Sequence, residues 1–157
     1  MMTRDPAIRP LTLIPPPLVY VLTLYAAWAL QRHLPLTLDF GAFSTPLAWT
    51  LIGAGLAGFA WALLAIFGHR TTVNPYGAAS SLVMRGPFRY SRNPIYVSDW
   101  FVYAGAMLLL HTAWPLLLAP LVFLVMRHMV IAHEENHLEA RFGDVYRDYR
   151  ARVPRWL

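Results

Sequence analysis

Ser80-Ser81-Leu82-Val83-Met84-Arg85-Gly86-Pro87-Phe88-Arg89-Tyr90-Ser91-Arg92-Asn93-Pro94-Ile95-Tyr96 is a polar, arginine-bearing stretch between two apolar blocks. Gly86-Pro87 and Asn93-Pro94 are both turn signals, so the backbone here does not read as one continuous helix. Between them, Arg89, Tyr90 and Arg92 offer forked donors and aromatic faces. A second polar element follows near the end of the chain: Glu134-Glu135, Phe142-Gly143, Tyr146, Tyr149 and Arg152-Val153-Pro154-Arg155. Both elements border apolar runs. The pattern predicts membrane helices with one polar site built at the surface of the bilayer.

Composition supports that reading. Hydrophobic residues make up 57% of the 157 residues and charged residues only 13%, against about 25% charged in a typical soluble domain. By length the chain is a single domain, 1–157. The fold class expected is all-α: a polytopic membrane protein with about four spans, near 17–34, 47–67, 94–110 and 115–131. The first run is long enough to span, and no clear small-residue cleavage site follows it, so it reads as a membrane helix rather than a removed signal peptide. The second carries no charge and has a small-residue face of Gly53, Ala54, Gly55, Ala57, Gly58 and Ala62, which lets another helix approach closely. The third starts at Asn93-Pro94, where proline suits the first helical turn. From His133 to Arg150 the pattern turns charged, with Leu138, Phe142, Val145, Tyr146 and Tyr149 at helical spacing. That is an amphipathic helix, broken near Gly143, lying on the membrane surface or folding over the 80–96 segment.

The chain has no cysteine, and all 13 of its basic residues are arginine. Disulfides, thiolate metal sites, Schiff-base chemistry and lysine phosphate loops are excluded. The net charge of +5 is read as arginines meeting anionic lipid rather than nucleic acid. With four spans, both termini and the 69–92 loop fall on one side, which carries every arginine except Arg32. The positive-inside rule places that side in the cytoplasm. The arginine bias points to a bacterial inner membrane, with the endoplasmic reticulum as second choice.

The ordered motifs Leu82-Val83, Gly86-Pro87-Phe88-Arg89-Tyr90, Arg92-Asn93-Pro94-Ile95-Tyr96, Glu134-Glu135, Phe142-Gly143, Tyr146, Tyr149 and Val153-Pro154 resemble the isoprenylcysteine carboxyl methyltransferase and phospholipid methyltransferase superfamily. The resemblance covers roughly residues 69–157, about half the chain. It implies an integral-membrane enzyme that uses S-adenosylmethionine. It implies cofactor-binding roles for Ser80, Ser81, Leu82, Val83, Phe88, Asn93, Pro94, Ile95, Tyr96 and Glu134. Asn93 stands where that family has histidine; it keeps hydrogen bonding but carries no proton. Val130 stands where an arginine one turn before Glu134 would hold a substrate carboxylate, and Arg127 is the nearest arginine.

Methyl transfer from a sulfonium is an in-line displacement that needs alignment and exclusion of water, and no metal. On this reading Glu135 and Arg127 are the catalytic candidates, for substrate positioning or proton handling. Carboxylates beside a membrane are costly unless paired, and an arginine from the loop is the natural partner. Asp99, one turn into the third span, is a further candidate for a polar contact. His133 and His137 share a helical spacing, but the order of the intervening residues is not that of a His-Glu-x-x-His metal site. The expected function is methylation of a lipophilic small molecule or lipid entering from the bilayer. Two alternatives stay open: an NADPH-dependent enzyme similar to the sterol reductases, and a non-enzymatic membrane subunit on the same scaffold.

Overall fold

The computed structural model describes residues 15–68 and 81–157. Ser80, with the rest of 69–80, lies outside the described residues, as does the segment before Pro15. Among the described residues there is no strand beyond a single antiparallel bridge, Thr37 to Thr112. The helices are α1 (Pro16–His33), α2 (Ser44–Gly68), α3 (Pro94–Leu109), α4 (Trp114–Val125), α5 (Ala132–Phe142) and α6 (Asp144–Arg152). Proline stands in the first turn of α1, α3 and α4, where its missing N–H is not needed.

Among the described residues, two helices are long and apolar enough to cross a membrane: Gly41–Gly68, which includes a 3₁₀ turn before α2, and Trp114–Phe142. The second is a single rod. Expected to stop near 131, it continues because nothing between Ile131 and Phe142 breaks a helix. α4 passes through a π-helical turn, Met126–Ile131, and on into α5. The rod ends at Gly143, whose φ of +53° a side chain would resist. α1, of 18 residues, lies at the short end of the range that spans hydrocarbon, and α3, of 16, falls just below it.

α2 packs chiefly on α3, and the contact is made by glycines. A Cβ on Gly55 would sit 2.7 Å from the Ser98 carbonyl oxygen, and one on Gly105 would sit 2.6 Å from that of Ala48. The small-residue face thus brings two backbones together, as van der Waals-driven helix association requires. α1 rests on α3 and α4. Between them lies a core of Val19, Tyr20, Tyr96, Tyr103, Val122, Met126, Val130 and Ile131. Tyr20, Trp100 and Tyr103 meet edge to face, with centroids 5.5–5.9 Å apart, the arrangement their quadrupoles favour. Outward, α2 presents Leu47, Trp49, Leu56, Phe59, Leu64 and Phe67, each more than a third exposed, apolar exposure of the kind that marks a membrane or partner contact.

At one end of the bundle the connections are tied together. Gln31 Oε1 accepts from the Leu36 N–H and from Thr112 Oγ1, both at 2.8 Å, and Trp114 Nε1 donates to the Leu34 carbonyl at 2.8 Å. The opposite end carries the 81–93 segment, α5, α6 and the chain terminus.

Candidate functional site: a cleft between the arginine-bearing loop and the two carboxylates

The loop is shaped by its turn residues. Gly86 has φ +60° and opens a 3₁₀ turn, Gly86–Arg89. A Cβ there would come within 3.2 Å of Ala65 and 3.4 Å of the Trp61 indole nitrogen, so glycine also seats the loop on α2. Ser91 is buried, and its hydroxyl accepts the Asn93 N–H at 3.1 Å. Pro94 then starts α3.

Three contacts fasten α5 and α6 onto this loop and the start of α3. The Tyr96 hydroxyl donates to Glu134 Oε2 at 2.9 Å. Arg92 Nη1 meets Glu135 Oε1 at 2.8 Å. The Tyr149 hydroxyl donates to the Phe88 carbonyl at 2.7 Å. Burial pushes the Tyr146 and Tyr149 hydroxyls above the ordinary phenol range, and the Glu135 charge adds to this at Tyr146. Both phenols therefore stay protonated; Tyr149 donates, while the Tyr146 hydroxyl accepts from Arg92 Nη1 at 3.4 Å.

Glu135 is 5% exposed and is gripped from two sides. Besides Arg92, it takes a two-pronged contact from Arg155: Nε to Oε1 at 3.0 Å and Nη2 to Oε2 at 2.6 Å. That fork is the geometry in which a guanidinium holds a carboxylate best, and it raises the Arg155 guanidinium above its ordinary value. The partner expected from the loop is Arg92; Arg155 was not foreseen, since nothing in sequence spacing links position 155 to position 135.

These pieces enclose a cleft of about 620 Å³, counting its open mouth, lined by Ile66, Ser81, Leu82, Val83, Phe88, Arg92, Asn93, Glu134, Glu135, Leu138, Tyr146 and Tyr149. Of the sequence candidates, Ser81, Leu82, Val83, Phe88, Asn93, Glu134 and Glu135 are brought together on its wall. Tyr96 stands behind the wall and reaches it through Glu134. Pro94 and Ile95 belong to the first turn of α3 and are not part of the lining. Arg127 is exposed on the π turn and is not part of the lining either. Val130 is 1% exposed and packed in the core. His133 is exposed and His137 half-buried, and among the described residues no three metal-ligating side chains come together.

The cleft joins an apolar slot to a polar rim. Ile66, Val83, Phe88 and Leu138 offer a surface for a flat or aliphatic group. Glu134 and Asn93 offer acceptors, and Arg92 a cation. Such a set can hold a zwitterionic nucleoside. Among the described residues the architecture is all-helical, with two membrane-length helices and a polar cleft at one end, as in a membrane protein with a ligand site. The phospholipid methyltransferase family profile matches residues 43–145, and the chain belongs to that family of membrane methyltransferases. It is similar to an uncharacterized protein of Haemophilus influenzae, 42% identical over 59 residues, which are 37% of this chain and 82% of that protein. No solved structure matches.

Proposed function

We propose that this chain is an S-adenosylmethionine-dependent methyltransferase that acts on a lipophilic small molecule or lipid at the cytoplasmic face of a membrane, with the cofactor in the cleft. The observation that carries the proposal is the convergence, within the family-matched region, of segment 81–83, Phe88, Asn93 and Glu134 on one wall. The donor set fits the cofactor. Glu134 and Asn93 suit the hydroxyl and ammonium groups of a nucleoside amino acid, Arg92 a carboxylate, and the Val83–Phe88–Leu138 slot an adenine ring. When bound, the cofactor supplies a sulfonium methyl group as electrophile.

The chain's own residues bind, align and exclude water. Tyr96 holds Glu134 at 2.9 Å, so this acceptor is presented in one orientation. Glu135 is committed to Arg92 and Arg155 and serves as a fixed acidic anchor for both. α6 and its tyrosines cover the cleft, and alignment with water excluded is what this displacement needs. Arg127 has no place on this wall, and its proposed part is to meet lipid phosphate at the membrane surface.

A lipophilic substrate is supported by a second groove on the far side of the loop. It is lined by Ala54, Gly58, Trp61, Tyr90, Phe101 and Leu157, among others, with no charged side chain among the described residues. It adjoins the outward apolar face of α2. On this reading α1 and α3 complete a four-span bundle. The excess of arginine at this end supports a cytoplasmic cleft by the positive-inside rule, and the proposed site of action is the bacterial inner membrane.

The test is ligand-dependent stabilisation of the detergent-purified protein. S-adenosylhomocysteine at a hundredfold over its Kd raises stability by about 2.7 kcal/mol, and Glu134→Gln reduces that gain at equal concentration. Stabilisation by NADPH alone moves the assignment to a reductase. No shift with either ligand, in protein that melts cooperatively, refutes the enzyme reading.

A further inference from the structure

The end of the chain reaches back to the cleft, beyond the region matched by the family. The Pro154 carbonyl accepts the Arg92 N–H at 2.9 Å. The Arg155 carbonyl accepts both the Ser91 hydroxyl at 3.2 Å and Asn93 Nδ2 at 2.9 Å. The Arg155 guanidinium meanwhile forks onto Glu135, and Trp156 lies on Phe123 with ring centroids 5.7 Å apart. One residue therefore touches both sides of the cleft, the loop through its carbonyl and α5 through its side chain.

A peptide carbonyl only accepts. The Asn93 atom facing it must be the amide nitrogen, so the orientation of this side chain is set by chemistry rather than chosen. At the other end of the amide, nothing among the described residues donates to Oδ1, although Asn93 is 7% exposed and forms part of the cleft wall.

We infer that Arg155 is a positioning residue: its carbonyl locks Asn93 as a pure acceptor toward the cleft while its guanidinium locks Glu135, so position 93 selects a ligand group that donates an N–H or O–H. The identity of that ligand rests on the methyltransferase reading, in which the donor is an amino or hydroxyl group of the cofactor. The lock also accounts for asparagine where the resembling family has histidine. A neutral imidazole whose N–H is held by a carbonyl presents its other nitrogen as an acceptor. Asn93 has the same polarity and cannot lose it by protonation.

Two near-isosteric variants separate this from a purely structural role, because they titrate in opposite senses. In Asn93→Asp the ionised carboxylate faces the Arg155 carbonyl with no donor. Once protonated it donates an O–H to that carbonyl and still offers an acceptor to the cleft. In Asn93→His the neutral ring serves both partners, and the imidazolium offers no acceptor. Full-length protein in detergent is titrated with S-adenosylhomocysteine at about pH 8 and about pH 3, on either side of both the imidazole and the carboxylate ranges, and melted without ligand at the same values. Wild type is the reference at each pH, because Arg92, Glu134, Glu135, Tyr146 and Arg155 also surround position 93.

Relative to wild type, Asn93→Asp is expected to bind about tenfold or more weakly at the higher pH, the loss of a hydrogen bond to a buried group, and to recover at the lower. Asn93→His is expected to show the reverse slope. Slopes of the same sign, or an Asn93→Asp that binds like wild type at the higher pH, overturn the inference. If wild type binds no S-adenosylhomocysteine, the methyltransferase reading fails, and the ligand-free melts still decide the lock. A deficit in Asn93→Asp that closes as pH falls supports it, and a deficit independent of pH overturns it.

Discussion

Glu135→Gln is the change whose consequence the structure states most fully. Three N–H donors, Arg92 Nη1 and Arg155 Nε and Nη2, converge on its two carboxylate oxygens at 2.8, 3.0 and 2.6 Å. The carboxylate is 7% exposed, with the Arg92 side chain at 9% and that of Arg155 at 27%. An amide of the same shape keeps one acceptor. It places an NH₂ group against a guanidinium, donor against donor, and leaves two positive charges without their counterion. Breaking a buried ion pair by removing one partner costs about 3–5 kcal/mol. The lower half of that range applies, because Arg155 keeps contact with water and hydrates when released. For a chain of this length each kcal/mol moves the melting temperature by about 2–4 °C, so a fall of roughly 6–16 °C in detergent is expected. A double-mutant cycle with Arg155→Ala apportions the cost: the second substitution removes one of the stranded charges, and the pair must lose less than the sum of the singles. A Glu135→Gln protein that melts within 2 °C of wild type would refute the reasoning, because the carboxylate would then be solvated rather than gripped.

Two further changes test the packing that positions the cleft. Gly105→Ala should destabilise by about 1–2 kcal/mol in a detergent melt, because its Cβ meets the Ala48 carbonyl at 2.6 Å and Ile52 Cγ1 at 2.7 Å; Gly53→Ala, which has open space around it, should instead gain a few tenths from helix propensity. Tyr149→Phe removes the donor to the Phe88 carbonyl; it should cost about 1–2 kcal/mol and raise hydrogen exchange in residues 86–90, and unchanged exchange there would mean that α6 does not hold the loop.

What was legible in the sequence is what local chemistry dictates. An uncharged run with Gly55 and Gly58 on one face predicts a membrane-length helix that approaches a neighbour closely, and α2 does so against α3. Gly86-Pro87 and Asn93-Pro94 predict a turned loop, and a 3₁₀ turn and a helix start lie there. A paired carboxylate beside the membrane predicts an arginine partner, and Arg92 is one. What was not legible depends on contacts far apart in the chain. Tyr149 reaching Phe88, and Arg155 reaching both Asn93 and Glu135, are tertiary facts with no periodicity to announce them.

The least legible feature is also the one that aims the site. On an uninterrupted α-helix, residues seven apart lie almost on one face, since seven steps of about 100° nearly complete two turns. Arg127 and Glu134 are seven apart and would be read as facing the same cleft. The π turn at Met126–Ile131 breaks that reckoning. One extra residue in a turn rotates everything after it by about 100° relative to what came before. Arg127 accordingly stays on the exposed side while Glu134 and Glu135 swing to the wall beneath the loop, and Val130 is left in the core. A π turn forfeits good hydrogen-bond geometry, so it persists where surrounding contacts over-determine it. Here those contacts are in view: Ile131 and Val130 packed inside, Tyr96 on Glu134, and two arginines on Glu135. The carboxylates that give the cleft its chemistry are thus also the anchors that hold the rotated register in which they can reach it.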